Sequence, residues 1–445
     1  HYSYDERTRG GDPKGSQRGV KKERRKITRG SKMKKEKRSN AVFYGLMGIM
    51  LGLFVISLIA TGGKSIYQFL FYDRKDIFMD FFNSINDCFS GDPYGKKCIY
   101  PPLTYVIYTI FSKFLPMDMA KKHGMFAVRD SAQGLTVYMI YTLIIVVIML
   151  ALIWKFLKGD RKKKLQFSVV TLMSMPVLYS FDRGNIVWFC MAFLMVYIFT
   201  YDSKNKILRE IGLISLAIAT SIKIYPVVFG LMLLFDKRWA EAKRCIIYGV
   251  LIFFVPFLCF GGFSEFTVLL SNLTNASNFL GSIGHGYRLN FSNTVYGVFD
   301  VLQRRGPRID KLLQYALYAF YVFYLPCIFL ARERWKKIFL LTAVLVGMPP
   351  FSYAYSMVFV IIPLMLFLNE NKGKPRDVFY AVCFVFCIAP IGYSPVSILG
   401  DATVPYAYSL NVLVMSLALM ALTGFLALET WITRITEVLL PRRSK

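Results

Sequence analysis

An all-α polytopic membrane protein of about twelve transmembrane helices is the fold class this sequence predicts, on three observations. Of its 445 residues 55% are hydrophobic and only 18% charged, giving a mean hydropathy of +0.44, too apolar for a soluble chain of this length. Apolar runs of membrane-crossing length recur from Ala41 to the C-terminal region. The Lys/Arg clusters between them alternate so that nearly all fall on one side of a membrane.

Taken in order, His1 to Asn40 carries fifteen Lys/Arg against five Asp/Glu and almost no apolar residues. Such a stretch cannot bury enough surface to fold, and directly before a span it reads as a disordered cytoplasmic tail that binds anionic lipid headgroups. Much of the formal net charge of +28 is thereby explained without a nucleic-acid partner, and none is expected. No short apolar region with a small-residue cleavage site follows, so the span Ala41 to Thr61 is expected to be retained.

Tyr100-Pro-Pro opens a surface or re-entrant helix to Leu115, because Pro suits a first helical turn. Further spans are expected at Gly134–Leu157, Leu165–Phe181, Ile186–Tyr201, Ile211–Ile222, Val227–Phe235, Cys245–Phe260, Leu312–Leu330, Ile338–Met348, Ser356–Leu368, Val378–Ile391 and Tyr408–Leu428. Lys158 to Lys164 and Asn371 to Arg376 mark the cytoplasmic side, which places both termini inside and the loop from Gly261 to Lys311 outside. Residues 1–40 are expected to form the tail, 41–368 the main membrane module, and 369–445 a C-terminal helical segment with a short basic end.

The loop after the first span holds Asp76-Ile-Phe-Met-Asp80-Phe-Phe-Asn83-Ser-Ile-Asn86-Asp87-Cys88. If helical, it puts Asp76, Asp80, Asn83 and Asp87 on one face and phenylalanines on the rest, which suits a membrane surface with carboxylates turned to water or to a polar substrate. Cys88 and Cys98 bracket Asp92-Pro-Tyr-Gly; in an oxidising compartment they form either a bridge or two free thiols. Three glycosylation sequons start at Asn272, Asn275 and Asn290.

The polar residues that interrupt apolar sequence collect on the predicted outer side: Asp182, Arg183 and Asn185; Lys223 and Tyr225; His285 and Arg288; Tyr353 and Tyr355. A charge at the membrane edge is costly and so points to function. A secondary transporter would place such groups near the midplane on broken helices, where these spans are nearly free of them. Singly, each has a plainer reading: Asp80 as a solvated helix acid, Arg183 as half of a local ion pair, Lys223 as a snorkelling side chain, the tyrosines as interfacial belt.

Together, an Asp soon after the first span, Tyr-Pro-Pro, Arg-Gly-Asn, Lys-x-Tyr-Pro at the end of a span and a late Pro-Pro-Phe-Ser-Tyr resemble the polyprenol-phosphate-sugar-dependent glycosyltransferases of the GT-C superfold, most closely glycosyltransferase family 87, which includes phosphatidylinositol-mannoside mannosyltransferases. The resemblance runs from Ala41 to about Leu368. The basic tail and the last two spans match nothing diagnostic of it. It implies a GT-C-like enzyme in the cell membrane that moves a mannose-like or other hexose from a polyprenyl phosphate to a glycolipid or glycan hydroxyl on the extracytoplasmic face, with inversion.

In that reading Asp80 is the base, Lys223, Arg183, His285 and Arg288 hold the donor phosphate, and Asn83, Tyr100, Asn185, Tyr225, Tyr353 and Tyr355 line the sugar, acceptor or lipid groove. Proton removal from an acceptor hydroxyl needs a carboxylate, and a departing phosphate needs cations. No cofactor or metal is expected, since the loop lacks an Asp-x-Asp pair and no His/Cys set has ligand spacing. A polyprenyl-diphosphate-dependent ligase or polymerase, or a lipid-linked-sugar flippase, is the alternative.

Overall fold

The computed structural model describes residues 38–71, 75–282, 288–302, 304, 306–350, 352–392 and 409–439, without the side chains of 277–282. The basic tail up to residue 37 and His285 lie outside the described residues. Every regular element within them is helical, apart from one isolated antiparallel bridge between Arg288 and Tyr353.

The longer α-helices are, in chain order, α1 (Arg38–Ala60), α2 (Met79–Phe89), α3 (Pro102–Ser112), α4 (Ala132–Phe156), α5 (Arg161–Leu172), α6 (Met175–Arg183), α7 (Val187–Thr200), α8 (Lys206–Ile222), α9 (Trp239–Phe254), α10 (Glu265–Ser282), α11 (Phe291–Val301), α12 (Pro307–Leu330), α13 (Arg334–Gly347), α14 (Ile361–Glu370), α15 (Pro375–Ile388) and α16 (Leu410–Leu439). Local chemistry explains many ends. Ser131 accepts the Gly134 amide to start α4, Asp160 accepts that of Lys163 to start α5, and Asn205 caps α8. Pro102 and Pro375 occupy first turns, where a missing N–H costs nothing.

Among the described residues, five helices are long and apolar enough to cross a membrane: Arg38–Ala60, Ala132–Phe156, Trp239–Cys259, Pro307–Leu330 and Leu410–Leu439. The other expected spans are shorter or broken, so a count of twelve is not established. Proline accounts for several breaks, because it cannot donate into the helical ladder. Leu165–Phe181 divides into α5 and α6 at Met173-Ser174, just ahead of Pro176. Pro226 starts a 3-10 turn, Tyr225–Gly230, in place of a straight helix.

Burial separates two kinds of apolar helix. On α7, on α13 and from Ala354 through α14, nearly every side chain is buried, so these form the centre of the bundle. On α1 and α9 the apolar side chains are largely exposed, as lipid-facing helices require. At one end of α13, Lys336 meets Glu333 at 3.1 Å and Glu429 of α16 at 2.7 Å, while Arg376 and the Tyr380 hydroxyl of α15 also engage Glu429. The other end of α13 leads into the Pro349–Tyr355 turn and the candidate site.

Candidate active site

The site is built on α2, and its geometry differs from the continuous acidic helix expected from residue 76. Helix α2 begins only at Met79, because Phe78 adopts the left-handed conformation (φ 60°) and breaks the register. Asp76 therefore precedes the helix, and Asp80 lies in its first turn, where the helix dipole favours a carboxylate. Met79, Phe81, Phe82, Ile85 and Cys88 are buried, and the phenylalanines pack against Tyr108, Tyr138 and Tyr141.

The turn Asp182-Arg183-Gly184-Asn185 closes onto this helix start. Gly184 is left-handed (φ 71°), and a Cβ there would stand 2.9 Å from the Cβ of Phe81 and 3.1 Å from the Phe78 carbonyl oxygen. Only glycine allows that conformation together with that approach. It brings the neighbours on either side to Asp80: the Arg183 guanidinium donates to Oδ1 at 2.7 Å, and the Asn185 amide to Oδ2 at 2.8 Å. Arg183 also pairs with Asp76. Burial would lower the Arg183 pKa, but Asp80 and Asp76 beside it raise it instead, so the guanidinium stays charged.

Asn185 is buried, its amide nitrogen also reaches the Tyr100 hydroxyl at 3.2 Å, and its carbonyl oxygen accepts the Val187 amide at 3.0 Å. The amide nitrogen of that side chain thus holds Asp80 and Tyr100, while its oxygen fixes it to the start of α7. Asp182 turns the other way: its carboxylate accepts the Phe71 amide at 3.1 Å and its carbonyl the Phe78 amide at 2.7 Å.

Lys223 follows α8 in an extended conformation, outside the helix. Thr104, in the first turn of α3, donates to the Ile222 carbonyl at 2.8 Å and so ties Tyr100-Pro-Pro to this point. Lys223 is only 5% exposed, and no ion pair involves it among the described residues. Its ammonium lies over three rings instead, those of Tyr100 at 4.6 Å, Tyr355 at 5.5 Å and Tyr225 at 5.8 Å. Burial lowers its pKa to about 8, with nearby Cys190 and Asp80 opposing the shift. A buried, unpaired ammonium beside a carboxylate cluster and walled by tyrosines is an arrangement for receiving an anion.

The remaining expected residues are distributed around this centre. Tyr353 and Tyr355 lie 5.7 Å apart, and Tyr355 stacks on Tyr179 at 6.0 Å. Arg288 is buried and bridges Tyr353 through the backbone, reinforced by the Leu289 amide on the Ser352 carbonyl at 2.8 Å. Asn83 is exposed on α2, one turn after Asp80. Asp87 shares the face of Asp80 two turns along α2, where it is hydrogen-bonded to Cys98 and burial raises its pKa. Cys88 and Cys98 are both free thiols.

Sequence reasoning passed over three contributors. Thr104 and Tyr179 carried a usable signal, being four residues from Tyr100 and Arg183. Tyr138, which stacks on Phe78 at 4.2 Å and hydrogen-bonds the Phe181 carbonyl, carried none. Of the three sequons, Asn272 is buried with its amide on the Tyr94 and Cys98 carbonyls, and Asn290 is buried and caps α11, whereas Asn275 is exposed.

The chain matches the family model for glycosyltransferase family 87 over residues 99–352, more than half its length, and belongs to that family. The match is narrower than the resemblance read from Ala41 to Leu368. It includes Arg183, Asn185, Lys223, Tyr225 and Arg288, while Asp80 stands ahead of it and Tyr353 and Tyr355 just beyond. No curated protein and no solved structure matches the chain. The protein is a membrane glycosyltransferase.

Proposed function

We propose that this glycosyltransferase moves a hexose from a polyprenyl monophosphate to the hydroxyl of a glycolipid or glycan at the extracytoplasmic face, with inversion and without a metal. The observation that carries the reading is the caged Lys223, with no ion pair among the described residues, placed across Tyr100 from the Asp80 cluster. The acceptor oxygen attacks the anomeric carbon, Asp80 takes the hydroxyl proton, and the bond from that carbon to the phosphate oxygen breaks. The polyprenyl phosphate leaves with its charge met by Lys223. A single buried ammonium suits a monophosphate better than a diphosphate.

Arg183 takes a different part from that of a phosphate ligand. It is shared between Asp76 and Asp80, so one guanidinium faces two carboxyl groups and aims Asp80 without being its exclusive partner. Asn185 fixes the second carboxylate oxygen. Tyr100, Tyr225 and Tyr355 hold the lysine and supply ring faces for the sugar. The test is purified protein supplied with polyprenyl-phosphate-mannose or with a polyprenyl-diphosphate-linked sugar, and membrane glycolipid extract as acceptor. Turnover with the monophosphate only is expected; turnover with the diphosphate only, or with neither, overturns the reading.

A further inference from the structure

Asp182 is a buried carboxylate that the proposed chemistry does not use. Four described residues other than glycine have positive φ, and two of them, Phe71 (φ 61°) and Phe78 (φ 60°), flank the approach to α2. A left-handed phenylalanine is strained and persists only where its surroundings fix it. The amides of both are bonded to Asp182, that of Phe71 to its carboxylate at 3.1 Å and that of Phe78 to its carbonyl at 2.7 Å. Their rings pack with each other and with Phe181, at 6.0, 6.4 and 5.4 Å, and Tyr138 covers Phe78 while bonding the carbonyl of Phe181.

We infer that Asp182 is a positioning residue: by clamping the two left-handed phenylalanines it sets where α2 begins, and hence where Asp80 points. Phe78 is the residue that caps α2, and Asp80 is two residues further on. The next residue after Asp182, Arg183, holds the carboxylate itself. One turn therefore fixes both the helix and the side chain it carries. The inference rests on the proposed role of Asp80 only for its kinetic consequence; the clamp itself is testable without substrate.

The experiment uses the full chain in detergent micelles, with Asp182→Ala, Asp182→Asn and Asp80→Asn beside the wild type. Asn keeps an acceptor oxygen for the Phe71 amide, so it serves as the conservative rescue. In Asp182→Ala, hydrogen exchange at the start of α2 is expected to quicken by about 10-fold or more while α13 to α16 are unchanged. Mannose transfer from polyprenyl-phosphate-mannose should lose about 10-fold in kcat with donor KM little changed, and Asp182→Asn should recover most of both. The main-chain bond to Phe78 survives in Asp182→Ala, so the variant tests the carboxylate's hold on Phe71: unchanged exchange at α2, or quickened exchange throughout the chain, overturns the inference that this carboxylate sets the start of α2. A normal kcat alongside locally quickened exchange overturns its link to Asp80. If instead Asp80→Asn turns over normally, the reading of Asp80 as base fails, and the exchange result still decides the clamp.

Discussion

Two buried lysines stand near the two ends of α13, and the protein treats them in opposite ways. Lys336 is 6% exposed and is given two carboxylates, Glu333 and Glu429, in a network that also takes in Lys372, Arg376 and Tyr380. Lys223 is 5% exposed and is given three tyrosine rings and no ion pair among the described residues. Burying an ammonium is costly, and the first site offsets that cost inside the chain whereas the second leaves it to be offset by something that binds. The comparison teaches which end is structural and which is functional, although in sequence both are lysines beside aromatic residues. It also explains how α15 and α16, which lie beyond the family match, belong to the same bundle.

The comparison breaks most sharply at Glu429. Glu429→Ala leaves Lys336 without its nearest counter-ion and is expected to cost about 3–5 kcal/mol, read as a lower aggregation temperature of the full chain in micelles, with turnover at low temperature retained. Loss of turnover without loss of stability would mean that the two ends are not separable. Asp80→Asn should do the reverse, losing at least ~10²-fold in transfer with a smaller drop in aggregation temperature, since Asn cannot accept a proton and keeps only one of the two acceptor oxygens that Arg183 and Asn185 use.

A smaller effect is expected at Lys223. Lys223→Ala should weaken donor use by about 1.5–3 kcal/mol, one to two decades in kcat/KM, through the lost charge-assisted contact. Because burial lowers Lys223 from 10.5 to about 8, its charge is lost as pH rises through that value. Donor kcat/KM should therefore fall on the basic side near pH 8, and Lys223→Arg should remove that limb, because arginine stays charged. The same shift has a sign in stability: between about 8 and 10.5 the unfolded chain binds the extra proton, so stability rises with pH across that window. A basic limb that survives in Lys223→Arg would assign it to another group. The smallest effect is expected from chelation, with turnover unchanged in EDTA; activity lost in EDTA and restored by a divalent ion would replace the metal-free reading.

The sequence by itself determined what short-range signals can carry. Hydropathy placed the apolar runs and the helical class, Pro102 marked a helix start, and Asp-Arg-Gly-Asn marked a turn. The order of those short motifs indicated the family, and it also put Asp80, Arg183, Asn185 and Lys223 on one list. What only the tertiary structure decided is how those charges are shared. Arg183 reaches Asp80 across a hundred residues of chain, and that closure depends on packing at Gly184, which no local pattern encodes. Phe78 is left-handed because Asp182 and Tyr138 hold it so, which moved the start of α2 off the period that the acidic spacing suggested. Asn272 reads as a sequon and is a buried clamp on the Tyr94 and Cys98 carbonyls. Periodicity and capping act over a few residues, whereas the partner of a buried charge is whatever the fold brings to it.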